Sequence, residues 1–219
     1  MAIFVPSQGP ASWQGLLADP EKHWRTGYSA RTLAACWEMT QGLPREVEAI
    51  LGSGTQVLIG LPEHKVDLPG GARPSQTDLF LLLRRQETTI ACAVEGKVDE
   101  PFGPCLDEWL QVPSDGKTVR LAALCDLLGL HQPLPPQLRY QLLHRTASAV
   151  LEAMLFKTDE AAMIVHSFSP TAKWFDDFAF FVSLFGGEAV LGKPHRCSLP
   201  SGMPLLLGFA KGDERFLAL

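Results

Sequence analysis

The sequence has little of the long apolar patterning that is typical of membrane proteins and of secretory leaders. No apolar stretch in its 219 residues approaches the ~18 residues needed to span a bilayer. The opening residues, MAIFVP, have neither the basic start nor the apolar core of a signal peptide. We therefore expect a cytoplasmic protein that does not associate with membranes.

Cysteine is present, but not in the patterns that hold structural zinc or build a disulfide framework. The cysteines are odd in number and widely spaced, and no C-x-x-C pair occurs. They are Cys36, Cys92, Cys105, Cys125 and Cys197. This usage is typical of a protein kept in a reducing compartment.

The chain also lacks an excess of positive charge. It has 19 Lys and Arg residues against 24 Asp and Glu, a net charge of −5, which argues against a broad cationic surface for nucleic acid. The stretch from Glu63 to Glu100 is itself acidic, with five basic and seven acidic residues. That balance favours a metal ion and disfavours a ready-made nucleic-acid groove. The positive charge needed to bind nucleic acid would have to come from Arg139 and Arg145, or from a second subunit.

Several common catalytic and nucleotide-binding motifs are missing. There is no GxxxxGK[ST], no GxGxxG after a predicted strand, no HExxH and no GxSxG. The minimal residues of a P-loop NTPase, a dinucleotide-binding domain, a zinc protease and an α/β-hydrolase are therefore absent.

The composition and patterning that are present indicate one folded α/β domain. Hydrophobic residues make up 46% of the chain and charged residues 20%, as in soluble globular proteins. We divide the chain into an irregular N-terminal arm (1–28), a core (29–168) and a C-terminal helix-strand addition (169–219). Periodicity, Gly and Pro predict, in order, helices at Ala30–Thr40 and Arg45–Leu51, β-segments at Thr55–Gly60 and Glu63–Leu68, strands at Asp78–Arg85 and Thr88–Lys97, helices at Leu106–Leu110, Val119–Leu128 and Gln137–Phe156, a strand at Ala161–Phe168, a helix at Thr171–Phe185 and a strand at Leu205–Ala210.

The two clearest strands form a predicted hairpin that brings two carboxylates together. If Gln86 and Glu87 form a two-residue loop, Asp78 lies directly opposite Glu95. Opposed side chains lie ~5 Å apart, and like charges placed so are destabilising, so this pair needs a cation. Lys97 follows Glu95 at i+2 and projects from the same face. A four-residue loop would keep this register, whereas an odd loop length would shift it by one residue.

The segments around these residues resemble a known nuclease signature. Pro74-Ser-Gln-Thr-Asp78 before an apolar strand, followed by Ala93-Val-Glu-Gly-Lys97, resembles the PD-(D/E)xK motif of the restriction endonuclease-like superfamily. The order of helix, three strands, helix and strand over about Ser29 to Phe168 also resembles that superfamily's αβββαβ core. The resemblance implies a mixed central sheet flanked by helices.

The resemblance also implies a role for each residue of the motif. Asp78 and Glu95, with the carbonyl of Gly96, would bind Mg²⁺ or Mn²⁺, and Lys97 would position or deprotonate the attacking water. Hard divalent ions prefer such oxygen ligands and can activate water for phosphodiester hydrolysis. The implied activity is that of a metal-dependent nuclease acting on nucleic acid.

Two other interpretations of the same residues stay open. Asp78 could simply begin a strand, with Glu95 and Lys97 paired at an exposed strand end. Alternatively, the chain could be a non-catalytic member of the fold, an interaction or regulatory module that acts as a homodimer, which the acidic net charge and spare aromatic residues favour.

The long predicted helix carries a polar stripe on an otherwise apolar surface. The stripe consists of Gln141, His144, Arg145, Ser148 and Glu152. The resemblance implies that Gln141, His144 and Arg145 contact a substrate phosphate. A solvated helix face is the equal alternative.

Other residues have simpler interpretations. Glu38 could match an acidic residue that some superfamily members carry on the first helix, but a surface glutamate explains it at least as well. His166 lies on an apolar strand, which is typical of a hydrogen-bonded core histidine. The aromatic residues of the predicted helix Thr171–Phe185 would cover the core, or in part serve a dimer contact.

Overall fold

The computed structural model describes residues 7–40 and 42–219. The helices among these residues are α1 (Pro20–His23), α2 (Ser29–Thr40), α3 (Arg45–Leu51), α4 (Leu106–Leu110), α5 (Asp115–Leu128), α6 (Tyr140–Phe156) and α7 (Phe175–Ser183). The strands are β1 (Gln56–Val66), β2 (Ser75–Arg85), β3 (Thr88–Lys97), β4 (Glu160–Ser167), β5 (Pro194–Ser198) and β6 (Pro204–Lys211). Short 3-10 helices cover Pro10–Leu16 and Glu214–Ala218.

The strands form one mixed six-stranded sheet in the order β1-β2-β3-β4-β6-β5. The first three strands pair antiparallel, and β4 runs parallel to both β3 and β6. A parallel neighbour needs a crossover connection, which here contains α6. The predicted mixed α/β architecture is confirmed, with helices on both faces of the sheet. No helix in the described parts of the chain is long and apolar enough to cross a membrane.

Two cores, one on each face of the sheet, explain why β2 and β3 have apolar side chains in both directions. Leu79 and Leu81 point to the side where α2 and α3 pack, and they share a buried cluster with Trp37. Phe80 points to the opposite side and belongs to the cluster built around α6. Because successive strand residues alternate between faces, the odd and even positions of β2 fill different cores. The residues of β2 and β3 that lie beside Phe80 therefore face α6.

The β2–β3 hairpin has the predicted two-residue turn at Gln86 and Glu87. The ladder runs from Arg85↔Thr88 to Leu79↔Val94 and stops there, one step before Asp78. Strand β2 instead stays paired with β1 as far as Val66↔Ser75. The sheet therefore opens between β2 and β3 at the point where Asp78 and Glu95 lie.

Several predicted boundaries differ from the structure for local reasons. The two β-segments predicted before the hairpin are one continuous edge strand, β1, in which Pro62 is tolerated because the strand has a single neighbour. Helix α5 begins earlier than expected, at Asp115, because Ser114 caps it by accepting a hydrogen bond from the Lys117 amide. The long helix α6 begins at Tyr140, three residues later than predicted.

Near both ends of the chain, the structure contains elements that were not predicted from the sequence. The arm contains more regular structure than expected, namely the first 3-10 helix and α1, while its residues 1–6 lie outside the described part. The short edge strand β5 was not predicted. Its side chains are exposed or half-buried, so it has no apolar run that would reveal it in the sequence.

Candidate functional site

Three carboxylates lie in a row across β1, β2 and β3. Pairing of Pro62 with Leu79 and of His64 with Thr77 places Glu63 opposite Asp78. The hairpin register, continued one step beyond its last pair of Leu79 and Val94, places Asp78 opposite Glu95, as the sequence predicted. All three side chains line one cleft on the α6 side of the sheet.

Glu95 is the buried member of this row, and every one of its partners is a cation or an amide. Its side chain is 3% exposed. Lys97 Nζ and Gln141 Nε2 each donate to Oε1 at 2.7 Å, and Arg145 Nε donates to Oε2 at 2.5 Å. Burial alone would raise the pKa of the Glu95 carboxyl, but the charges and hydrogen bonds of Arg145 and Lys97 outweigh it and lower the pKa to about 2. Glu95 is therefore a fixed anion.

The negative charge of Asp78 is compensated by fewer hydrogen bonds and cations than that of Glu95. Its Oδ2 accepts a hydrogen bond of 2.8 Å from the Gly96 amide, in the gap where β2 leaves β3. Its Oδ1 lies 3.9 Å from Arg145 Nη2, beyond hydrogen-bond distance. Burial, followed by the nearby charge of Glu95, raises the pKa of the Asp78 carboxyl to about 7.

Glu63 is the third carboxylate, and sequence reasoning did not identify it. It accepts one hydrogen bond of 2.8 Å, from Gln76 Nε2. Burial and the charge of Asp78 raise the pKa of its carboxyl to about 8. Its backbone has φ 52°, a left-handed conformation that is rare for a side chain of this size inside a strand.

The carboxylates of this row are the type of ligand that hard divalent cations prefer, but the structure does not bring one oxygen of each within 4.8 Å of the others. For Glu63 and Asp78, the positive charge of Arg145 is too weak to offset burial, so their pKa values stay raised. Beside them, the buried Oε1 of Gln141 has no hydrogen-bond partner among the described residues. Such an orphan acceptor requires a ligand or water. Whether the Gly96 carbonyl also faces an ion stays a prediction.

Three residues of the polar stripe of α6, Gln141, His144 and Arg145, line this cleft, and Ser148 and Glu152 are buried, so the solvated-face interpretation is wrong. Arg145 is buried, and its Nη1 donates to Ser75 Oγ at 2.8 Å. Ser75 Oγ also shares a hydrogen bond of 2.9 Å with His144 Nδ1, in which the donor depends on the tautomer of the ring. Burial and the charge of Arg145 hold the pKa of His144 well below its usual range, so the ring is neutral. Together with Gln141, these are the residues that the sequence placed near the phosphate.

The carboxylate row lies in a cleft of about 1180 Å³. Its walls come from the N-terminal arm, the turn between β1 and β2, the loop after β3, and α6. The basic residues that line it are Lys22, Arg25, Lys65, Arg73, Arg120 and Arg145. The acidic ones are the three carboxylates of the row and Glu100. The cleft is therefore more basic than the chain as a whole.

Two residues considered from the sequence lie elsewhere. Glu38 accepts hydrogen bonds from Trp13 Nε1, at 2.8 Å, and from the Ser7 hydroxyl, and so fastens the arm to α2 outside the cleft. Arg139 forms an ion pair of 2.8 Å with Asp177 and does not line the cleft. The expectation that Arg139 supplies positive charge at the site is therefore wrong.

A second group of metal-ligating side chains lies on the opposite face of the sheet. Ligand atoms of Cys36, Glu46 and His166 lie within 4.8 Å of one another. Trp37 Nε1, which can only donate, bonds to His166 Nδ1 at 3.1 Å, so Nδ1 accepts and Nε2 carries the proton. Nε2 then donates to Glu46 Oε1 at 2.8 Å. Neither ring nitrogen has a free lone pair for a metal, and the prediction of a hydrogen-bonded core histidine is confirmed.

The thiol of this second group does not improve it as a metal site. Burial, and then the charge of Glu46, raises the pKa of Cys36 to about 12, so the sulfur stays protonated at neutral pH. We therefore place the candidate site at the carboxylate row alone.

Comparison with known proteins identifies the family but not an activity. No curated protein and no solved structure matches the chain. One family model, described as a domain of unknown function (DUF6946), matches residues 6–214. Because that match covers nearly the whole sequence, the chain belongs to the DUF6946 family.

Proposed function

We propose that this protein is a divalent-metal-dependent phosphodiesterase of restriction endonuclease-like fold that acts on nucleic acid. The observation that carries the proposal is the row of Glu63, Asp78 and Glu95 on three adjacent strands, with Lys97 bonded to its buried end. Like charges in direct opposition destabilise a sheet, and an ion bound by the row would relieve this repulsion.

The order of elements supports the fold assignment. Helix α2, strands β1 to β3, helix α6 and strand β4 occur in the order of the αβββαβ core that the sequence resembles, with α3 inserted before β1 and α4 and α5 before α6. Asp78 lies where β2 leaves β3, and Glu95 and Lys97 lie at the end of β3. Ligands of open α/β sheets commonly bind outside the carboxyl ends of strands, and Glu95 and Lys97 lie at the carboxyl end of β3.

Each residue of the site then has a chemical task. A bound Mg²⁺ or Mn²⁺ would neutralise phosphate charge and make water more acidic. Glu63, Asp78 and Glu95 would hold the ion. Lys97, fixed by Glu95, would orient the water whose oxygen bonds to phosphorus as the ester P–O bond breaks. Arg145 keeps Nη2 without a hydrogen bond among the described residues, and this edge would bind a non-bridging phosphate oxygen.

The test is cleavage of labelled single-stranded DNA, duplex DNA and RNA with Mn²⁺, with Mg²⁺ and with EDTA. We expect metal-dependent cleavage by the wild type and its loss in Asp78→Asn, which keeps an oxygen for the Gly96 amide. The matched control is Glu87→Gln, an exposed carboxylate at the far end of the same hairpin. Equal cleavage by wild type and Asp78→Asn would refute the assignment.

One observation favours a second candidate, a non-catalytic module of the same fold. Both oxygens of Glu95 are already occupied by Lys97, Gln141 and Arg145, as in a purely structural ion-pair network. Calorimetric titration separates the two candidates. A folded protein that binds neither Mg²⁺ nor Mn²⁺ would favour the non-catalytic module.

A further inference from the structure

The cleft has a negatively charged floor, formed by Glu63, Asp78 and Glu95, and a positively charged rim around it. Six Lys and Arg residues line the cleft against four Glu and Asp, whereas the whole chain has a net charge of −5. Three of the four acids belong to the carboxylate row. The fourth, Glu100, accepts hydrogen bonds from the Ser29 and Val98 amides and so has a structural partner on each oxygen. Outside the carboxylate row and Glu100, the charged side chains that line the cleft are all cationic.

Three of these cations have no partner among the described residues. The side chains of Lys22, Lys65 and Arg73 are exposed and form no hydrogen bond or ion pair there. Arg120, by contrast, donates to the carbonyls of Leu68, Pro69, Gly71 and Arg73 and holds the turn between β1 and β2. The free cations come from the arm, from β1 and from that turn, so separate segments surround the acidic floor with positive charge.

Aromatic surface accompanies this charge. Tyr28 lines the cleft and is 40% exposed, with the Arg25 guanidinium 5.8 Å from its ring centre. Trp109 also lines the cleft and stacks on Tyr140 at 4.0 Å, which fixes its orientation. Exposed rings beside backbone-binding cations are the elements that hold single-stranded nucleic acid, because every base has a face that can stack.

We propose that the cleft holds one single strand of a polynucleotide, with its phosphates on Lys22, Lys65 and Arg73 and a base on Tyr28. The volume of about 1180 Å³ exceeds the ~300–1,000 Å³ of pockets that enclose one small organic ligand, which leaves room for a short stretch of strand. This inference deepens the proposed function and rests on it for the position of the cleaved phosphate. The negative chain is then no obstacle, since the cations are concentrated where the strand lies.

Binding without turnover provides the test. The affinity of the full chain for a fluorescent oligothymidylate is measured in EDTA between 50 and 200 mM salt, in the wild type and in the triple variant Lys22→Ala, Lys65→Ala, Arg73→Ala. Each phosphate contact on a single strand contributes ~0.7 to the slope of log affinity against log salt, so we expect the slope to fall by about 2. The control variant, Arg45→Ala, Arg84→Ala, Lys193→Ala, makes the same charge change at exposed residues outside the cleft.

Each outcome decides a separate point. Equal slopes for the two triple variants, absence of binding at 50 mM salt, or a blunt duplex bound as tightly as the single strand would overturn the inference. Tyr28→Ala should weaken binding about tenfold or more while leaving the salt slope unchanged. Metal-dependent cleavage with an unaltered slope in the cleft variant would refute the strand path and leave the proposed function intact. Binding that depends on Lys22, Lys65 and Arg73, without any cleavage, would support the strand path and refute the proposed nuclease function.

Discussion

The pH dependence of stability tests the carboxylate row most directly. In the metal-free protein, the pKa of Asp78 is about 7 and that of Glu63 about 8, both far above the ordinary values of their residue types. Between its ordinary and raised pKa, such a carboxyl binds a proton in the folded state and none in the unfolded state. The free energy of unfolding must then fall as pH rises through this window.

The size of the loss follows from the same values. At about 1.4 kcal/mol per pH unit, Asp78 loses stabilisation over about one unit above pH 6 and Glu63 over about two. The sum is about 4 kcal/mol, and solvent screening of these partly exposed groups reduces it to about 2–3 kcal/mol. Glu95 has the opposite sign, since its pKa is lowered to about 2 and its contribution disappears only in acid. Between pH 6 and 8.5 it contributes no slope, whereas the lowered pKa of His144 makes stability rise with pH near pH 6 to 7 and so partly opposes the fall.

The assay is urea unfolding followed by tryptophan fluorescence at pH 6, 7, 8 and 8.5, with EDTA and with excess Mn²⁺. Glu63→Gln should remove about two thirds of the slope, whereas Glu87→Gln, at the exposed hairpin turn, should leave it unchanged. A bound dication supplies the missing positive charge, so Mn²⁺ at ~100 times its dissociation constant should add about 2.7 kcal/mol at high pH. Parallel slopes in wild type and Glu63→Gln would refute the reasoning, as would equal stabilisation by Mn²⁺ of wild type and Asp78→Asn.

Three further outcomes follow from the same geometry. Lys97→Met should reduce single-turnover cleavage at least ~100-fold in a protein with unchanged circular dichroism, and an unchanged rate would contradict its assigned role. Arg145→Met removes the buried partner of Glu95 and should lower the free energy of unfolding in urea by about 3–5 kcal/mol; a loss under about 1 kcal/mol would show that the pair is not coupled. Cys36→Ser should leave stabilisation by Mn²⁺ unchanged, and its disappearance would mean that the His166 cluster, not the carboxylate row, binds the ion.

The hairpin could be predicted in detail because its geometry is local. Two apolar runs separated by Gln86 and Glu87 have few alternative registers, and a two-residue turn fixes which residues face each other. The opposition of Asp78 and Glu95 followed from that register alone. The side on which Lys97 projects followed from the two-residue period of a strand.

The rest of the site depends on contacts that are distant in sequence. Glu63 opposes Asp78 only because β1 pairs with β2 in one particular register, and the turn of Asp67 to Pro74 between them is too long to fix it. The cations of the rim come from the arm and that turn as well as from β1, so a count of charges over consecutive residues gave an acidic result for a basic cleft. The N-terminal arm has no hydrophobic periodicity from which its position beside the cleft could be predicted.

Glu63 combines two unfavourable features at one position. A non-glycine residue in the left-handed region costs about 1–3 kcal/mol, and the carboxylate also lies opposite another one in a paired strand. Neither feature is required by the ladder, which keeps the same register on both sides of Glu63. The only side-chain hydrogen bond that the described residues give to its carboxylate comes from Gln76, too little to offset both costs. An ion bound by Glu63, Asp78 and Glu95 would offset them, because it converts mutual repulsion into shared coordination and gives the strained residue a ligand to hold.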